Sequence, residues 1–285
     1  MGLSIEEFIP RHGKLLCVDS DGTAIDTMTV KHKRCLGRSF IEVWGLEEHA
    51  QEVQRVWDSV NLYERSRGVN RFLALDIMLE RMEGAYLHTG TDALSSYRGW
   101  LQKGELSEKG LSAELAENPS PLLQKALRWS REVNERVAAL TSADMPPFPH
   151  VRETLEAAKD RADIAVVSTS YFSTILEEWD THGLSGFLSV VTGQECGSKA
   201  DRIRRLIDMG YSRENVLMLG DAELDRQVAE ANGVWFYPIL VGHEGESWER
   251  LRDDYLPLFL DGGFGRAQKA LLRQFADNFT TCHPD

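Results

Sequence analysis

Apolar and polar positions alternate along this chain in two rhythms. Four short apolar runs, KLLCV (14–18), DIAVV (163–167), FLSVV (187–191) and NVLML (215–219), are each followed by a few polar or small residues and then by a helix-like pattern. That order reads as strand, loop, helix, repeated. A fifth run, VWFYPIL from Val234, follows the helix-like ELDRQVAEANG, whose Gly233 suits a helix C-terminal cap. The alternation predicts an α/β protein, a doubly wound, Rossmann-like parallel sheet with helices on both faces.

Between the first strand and the second lie about 140 residues without a convincing strand, far too many for one crossover connection. An inserted domain is the economical explanation. Its segments, among them HAQEVQRVWDSVNLY, VNRFLALDIMLERM and LLQKALRWSREVNERVAAL, carry apolar residues at three- and four-residue spacing, which predicts a helical bundle. Trp44, Trp57, Trp100 and Trp129 sit in these patterns and read as its core. The proline-rich stretch Ser142 to His150 cannot continue a helix and reads as the return linker; the outward crossing falls near Thr27 to Thr29. The expected organisation is therefore a core of residues 1–28 and 143–285, including a helical C-terminal extension, with 29–142 as the insert.

Composition narrows the function. With 285 residues and 42% hydrophobic content, the chain can bury a real core. A formal charge of −13 repels phosphate backbones at long range, and no lysine- or arginine-rich stripe offsets it, so no nucleic-acid partner is expected. Runs such as IAVV and VLMLG fall far short of the roughly 20 residues that span a bilayer, and no membrane partner is expected. The Met-Gly start lacks a secretory pattern, and Glu6 stands where a myristoylation pattern wants Ser or Thr. Cys17, Cys35, Cys196 and Cys282 are scattered and form no Cys-x-x-Cys pair, which suits a cytoplasmic protein, monomeric or homodimeric.

Ligands of an open parallel sheet sit at the carboxyl ends of its strands. Asp19 ends the first run, Ser168 the second, and Asp221 follows the fourth, while Lys199 precedes the helix-like ADRIRRLIDMG and reaches the same edge. Taken alone, DSDGT is also a surface turn and GDAELD an acid-rich helix start. Both lie at the ends of predicted parallel strands, and together they describe a site.

These segments resemble the haloacid dehalogenase (HAD) superfamily of phosphatases. Its four motifs look like LLCVDSDGT, IAVVSTS, the lone Lys199 in GSKADRI, and VLMLGDAELD, in the family's order, and the long first gap is similar to the subgroup with a helical cap between motifs one and two. The resemblance implies a hydrolase of small phosphorylated metabolites, with the insert as cap. It implies Asp19 as nucleophile, Asp21 as general acid/base, Ser168 as phosphate ligand (with Thr169 as the alternative), and Lys199 as charge balancer. Asp221 and Asp225 are then Mg²⁺-side carboxylates, Asp225 binding directly or through water.

The chemistry supports those roles independently. An aspartate can attack phosphorus and split one hard displacement into two easier ones. A second carboxyl, Asp21, is needed to protonate the leaving alkoxide and later to take a proton from water, and a neighbouring anion favours its protonated form. Mg²⁺ held by Asp19, Asp221 and the backbone carbonyl of Asp21 would cancel the repulsion between carboxylates and a phosphate dianion. Lys199, Ser168 and backbone N–H groups near Asp21 to Thr23, Gly22 among them, are expected to hold the phosphate oxygens. Dehalogenase, phosphonatase, phosphomutase and a silent binding module are the rival readings. Lys31, rather than a histidine, stands where the mutases carry one; His32 comes next. Arg65, Arg67 and Arg71, around Gly68, are either grips for a second anionic group or, as the favoured expectation, solvated arginines at a helix junction.

Overall fold

The computed structural model describes residues 4–281; Met1, Gly2 and Cys282 lie outside the described residues. The chain divides into two compact units. One is built from the residues up to Thr27 together with those from Ser142 onward, and the other runs from Met28 to Thr141.

The first unit is organised by five strands, β1 (Leu15–Val18), β2 (Asp163–Val167), β3 (Val190–Thr192), β4 (Val216–Gly220) and β5 (Trp235–Pro238), in the order β3-β2-β1-β4-β5. All neighbours are parallel. Leu15 stands beside Asp163 on one side and Val216 on the other, and Val18 beside Val166 and Leu219. Every residue of β1, β2 and β4 is buried. Successive strand side chains point to opposite faces, so both faces of this sheet are covered by helices, which is why these strands read as continuous apolar runs. The third strand begins later than FLSVV predicts, because Phe187 closes the short 3-10 turn Ser185–Phe187 and pairing starts at Val190.

β5 is an edge strand, and the C-terminal extension covers it. In the helix Gly265–Thr281, Gln268 accepts from Phe236 N–H (2.9 Å) and donates to Phe236 C=O (3.0 Å), pairing the strand's free backbone with an amide. The tail thus protects a sheet edge.

The second unit is helical, with its main helices over Gly37–Trp44, Ala50–Asp58, Arg71–Met82, Thr91–Leu101, Glu108–Glu117 and Pro121–Ala138. Trp57, Trp100 and Trp129 are at most 2% exposed and share one cluster with Phe40, Phe72 and Trp44. Burying a large apolar side chain contributes about 1.5–3 kcal/mol. Two π-helical segments, Lys31–Leu36 and Ser59–Tyr63, interrupt the regular turns, and across them the Trp57 indole N–H donates to His32 Nδ1 at 3.2 Å. The expected solvated arginines divide three ways. Arg65 is exposed, Arg71 donates to Ser130 (3.3 Å) and Asn134 (2.7 Å), and Arg67 is buried and donates to the Leu62 carbonyl at 3.2 Å, a correction to the solvated reading. Among the described residues no helix is long and apolar enough to cross a membrane.

Candidate active site

Because β1 lies between β2 and β4, the residues that leave these three strands emerge side by side. Asp19 N–H donates to Leu219 C=O (3.0 Å), carrying the ladder one residue past β1 and fixing Asp19 beside the end of β4. The chain then turns sharply. Ser20 C=O accepts from the N–H groups of Thr23, Ala24 and Ile25, and Gly22 sits at φ +78°, the left-handed region where a side chain is strained. Two buried indoles clamp the turn: Trp179 Nε1 donates to Ser20 Oγ (2.9 Å) and Trp248 Nε1 to Thr23 C=O (2.8 Å). Neither tryptophan carries a signal in the sequence beyond ordinary core patterning.

Asp19, Asp221 and Asp225 are all buried, and each offers a carboxylate oxygen within 4.8 Å of the others. Lys199 opens the helix Lys199–Asp208 and joins them, with Nζ 2.9 Å from Asp19 Oδ1 and 2.6 Å from Asp225 Oδ1. The second Asp225 oxygen accepts from Ala222 N–H at 3.2 Å, so both its oxygens are engaged with N–H donors. Such an arrangement fixes Asp225 against Lys199. Gly220 makes this approach possible, since a Cβ there would lie 2.3 Å from the Asp225 Cβ.

Burial pushes Asp19 well above the ordinary carboxylate range; Lys199 opposes that shift, while Asp225 and Asp221 add to it. Asp225 is raised by burial in the same way, again opposed by Lys199. Burial alone would lower the Lys199 ammonium, but Asp19 and Asp225 outweigh it and hold the proton on. Three mutually repelling hard oxygen donors, with one ammonium between two of them, fit a small divalent cation such as Mg²⁺.

The other expected site residues fall into two groups. Asp21 is half-buried and faces hydroxyls: Thr27 Oγ1 donates to its Oδ1 (2.6 Å), while Ser170 Oγ (2.7 Å) and Ser168 Oγ (3.3 Å) donate to its Oδ2. Its carboxylate is not part of the Asp19, Asp221, Asp225 group. Thr23 is fully buried and its hydroxyl donates to Asp221 Oδ1. The N–H groups of Gly22 and Thr23 donate inside the turn, to Ile25 C=O (2.9 Å) and Ser20 C=O (3.3 Å). Thr169 is exposed, whereas Ser168 is fully buried at the strand end.

Three participants were not singled out by the sequence. Thr27 opens the short helix Thr27–Val30 and Ser170 lies in a loop, positions where many residues are tolerated. Arg202 lies one helical turn beyond Lys199, is 1% exposed, and donates from Nη1 to the carbonyls of Ser168 (2.6 Å) and Thr192 (2.7 Å). It ties the ends of β2 and β3 together beneath the site. Its spacing from Lys199 places both on one helix face, a clue that was legible but is common on any amphipathic helix.

Chemically, the edge combines a buried group of three carboxylates, a further carboxyl held by hydroxyls, and a fixed ammonium. The model of the haloacid dehalogenase-like hydrolase family matches residues 92–239, just over half of the chain, a span that includes Ser168, Lys199, Asp221 and Asp225. No curated protein matches the chain. Among solved structures, a candidate phosphoglycolate phosphatase from Lactobacillus delbrueckii subsp. bulgaricus superposes with a TM-score of 0.50 at 16% identity, covering 80% of this chain and 86% of that one. A haloacid dehalogenase-like family hydrolase from Xanthomonas campestris gives 0.49 at 13% identity over 91% and 96%. At these identities the likeness speaks for the fold alone. The matched model, carried on a parallel sheet of this order, identifies the chain as an enzyme that belongs to the haloacid dehalogenase-like hydrolase family.

Proposed function

We propose that this hydrolase is a Mg²⁺-dependent phosphatase of a small phosphorylated metabolite, working through a phosphorylated Asp19. The observation that carries the reading is the pairing of a buried three-carboxylate group on Lys199 with a separate, hydroxyl-held Asp21 two residues from the nucleophile. Displacement at carbon by a dehalogenase needs neither the second carboxyl nor the extra acidic residues.

An Asp19 carboxylate oxygen attacks phosphorus, and the bond from phosphorus to the ester oxygen breaks. Asp21 gives its proton to that departing oxygen, releasing the alcohol. A water then attacks the acyl-phosphate, its proton passing back to Asp21, and the bond from phosphorus to Asp19 breaks to leave inorganic phosphate. Lys199 stays protonated throughout and holds Asp19 in place, while Ser168 turns its hydroxyl from Asp21 to a phosphate oxygen. Asp19 and Asp221 would hold Mg²⁺, with Asp225 behind; when bound, the ion supplies the positive charge that favours ionised Asp19 and offsets repulsion of the phosphate dianion.

We assign residues 29–142 as the cap that selects the metabolite. Phosphate release from p-nitrophenyl phosphate, with and without Mg²⁺, tests the reaction class. Absence of Mg²⁺-dependent release from that ester and from a panel of phosphorylated metabolites would refute it. Excising the cap is expected to leave slow aryl phosphate hydrolysis and to erase preference within the panel; unchanged preference would place selection in the core.

A further inference from the structure

The contacts around Asp21 are more specific than a generic polar loop requires. Its two oxygens are held by hydroxyls from different segments: Thr27, six residues downstream, on Oδ1, and Ser170, at the exit of β2, on Oδ2. Ser170 makes the shorter of the two contacts on Oδ2. Ser168, at 3.3 Å, also accepts the Ser170 N–H on its Oγ (3.1 Å), and is the hydroxyl placed to leave for a phosphate.

Ser170 is itself immobilised. Its carbonyl accepts from Gln194 N–H (3.0 Å), and two residues on, Phe172 N–H donates to the Glu195 carboxylate at 3.1 and 3.2 Å. The loop leaving β2 is thus tied to the loop leaving β3, and Ser170 Oγ is a fixed point. A hydroxyl donates one hydrogen bond and accepts others. The same contact therefore persists when the Asp21 carboxyl carries a proton, by rotation of the serine O–H alone. A carboxyl that must be protonated in one half-reaction and ionised in the next is served on the same oxygen by a partner with this property, whereas an amide or ammonium donor would serve the protonated form only at its carbonyl oxygen.

From this geometry we infer that Ser170 is a positioning residue for the proton shuttle. It fixes the Asp21 carboxyl through its Oγ contact at 2.7 Å, from a loop tied to the loop leaving β3. The inference rests on the phosphatase reading above. It has a consequence that a merely structural role lacks, namely that the cost of losing Ser170 depends on how badly the leaving group needs a proton. An alkoxide cannot depart unprotonated, whereas p-nitrophenolate can.

The experiment compares kcat/KM, which reports the steps through release of the first alcohol, for an alkyl phosphate taken from the metabolite panel and for p-nitrophenyl phosphate, both with Mg²⁺. Ser170→Ala is expected to lower the alkyl value about thirtyfold, part of the 10²–10⁴ that general acid catalysis supplies, and the aryl value less than threefold. Ser170→Thr, which keeps the hydroxyl, is expected to restore the alkyl rate to within about threefold. Matching melting temperatures establish that the half-buried loop position is folded in each variant. Equal losses on both esters, or no loss on either, overturn the inference while leaving the phosphatase reading intact. Failure of the unaltered enzyme to hydrolyse any phosphate ester overturns that reading and this inference with it.

Discussion

His32 makes the helical unit sensitive to acid, by an amount the structure allows to be worked out. Burial pushes its imidazole from 6.5 down to about 3, with Arg67, Lys31 and Arg71 adding to the effect. Geometry points the same way, because Nδ1 accepts the Trp57 indole N–H and a proton there would leave that buried donor unsatisfied. For a base whose folded value is depressed, the stabilisation is complete above the unfolded value, near 6.5, and is lost as pH falls below it. At pH 5 the unfolded chain binds the proton and the folded one does not, a difference of about 1.5 pH units or roughly 2 kcal/mol at 1.36 kcal/mol per unit. The ring is only half-buried by surface area, so about 1–2 kcal/mol is the expectation after allowance for solvent screening. The perturbation is His32→Asn, whose amide oxygen takes the place of Nδ1 and does not titrate. The assay is native-state amide exchange in peptides from residues 50–82, which reads this unit alone, at pH 7.5 and 5.0 after correction for intrinsic exchange. Between those values the parent should lose about 1–2 kcal/mol more than the variant. Parallel losses within about 0.5 kcal/mol, a margin set by ordinary mutational scatter, would refute the argument, since every other group is common to both proteins and cancels.

Three further outcomes follow from the active-site geometry. Asp19→Asn should abolish turnover while leaving the melting temperature within a few degrees, because the amide is nearly isosteric but not nucleophilic; a variant within tenfold of the parent rate would demote Asp19 to binding. Chelation should stop phosphate release, and Ca²⁺ should inhibit rather than replace Mg²⁺, because the larger ion takes more carboxylate oxygens and draws on the attacking group; equal turnover with Ca²⁺ would contradict this. Gly220→Ala should cost about 1–3 kcal/mol in thermal or denaturant unfolding and lower kcat at least tenfold, because the new methyl displaces Asp225 from Lys199; parental stability and rate together would refute it.

Strand placement was legible because buried parallel strands must be apolar on both faces, and DIAVV became β2 residue for residue. FLSVV was misplaced for a physical reason: Phe187 is as apolar as a strand residue but is spent on a turn, a difference that composition does not carry. Asp19, Ser168, Lys199 and Asp221 were readable because each sits at a boundary where an apolar run gives way to a polar residue or a helix begins. The supporting residues were not. Thr27, Ser170 and Arg202 contact partners that no periodicity links them to, and serine and threonine hydroxyls are too common for their presence to signal a partner.

What the sequence determined by itself is the set of elements and their order, because local propensity and the burial of apolar runs are properties of consecutive residues. Tertiary structure alone decided which of those elements became neighbours. Placing β1 between β2 and β4 brings residues 19, 168 and 221 to one edge, although almost 150 residues separate the first from the second. It also decided the division of labour among the acids, sending Asp225 to Lys199 and Asp21 to hydroxyls. A carboxylate's role depends on the donors and charges within a few ångströms of it, and those are supplied by chain segments remote in sequence.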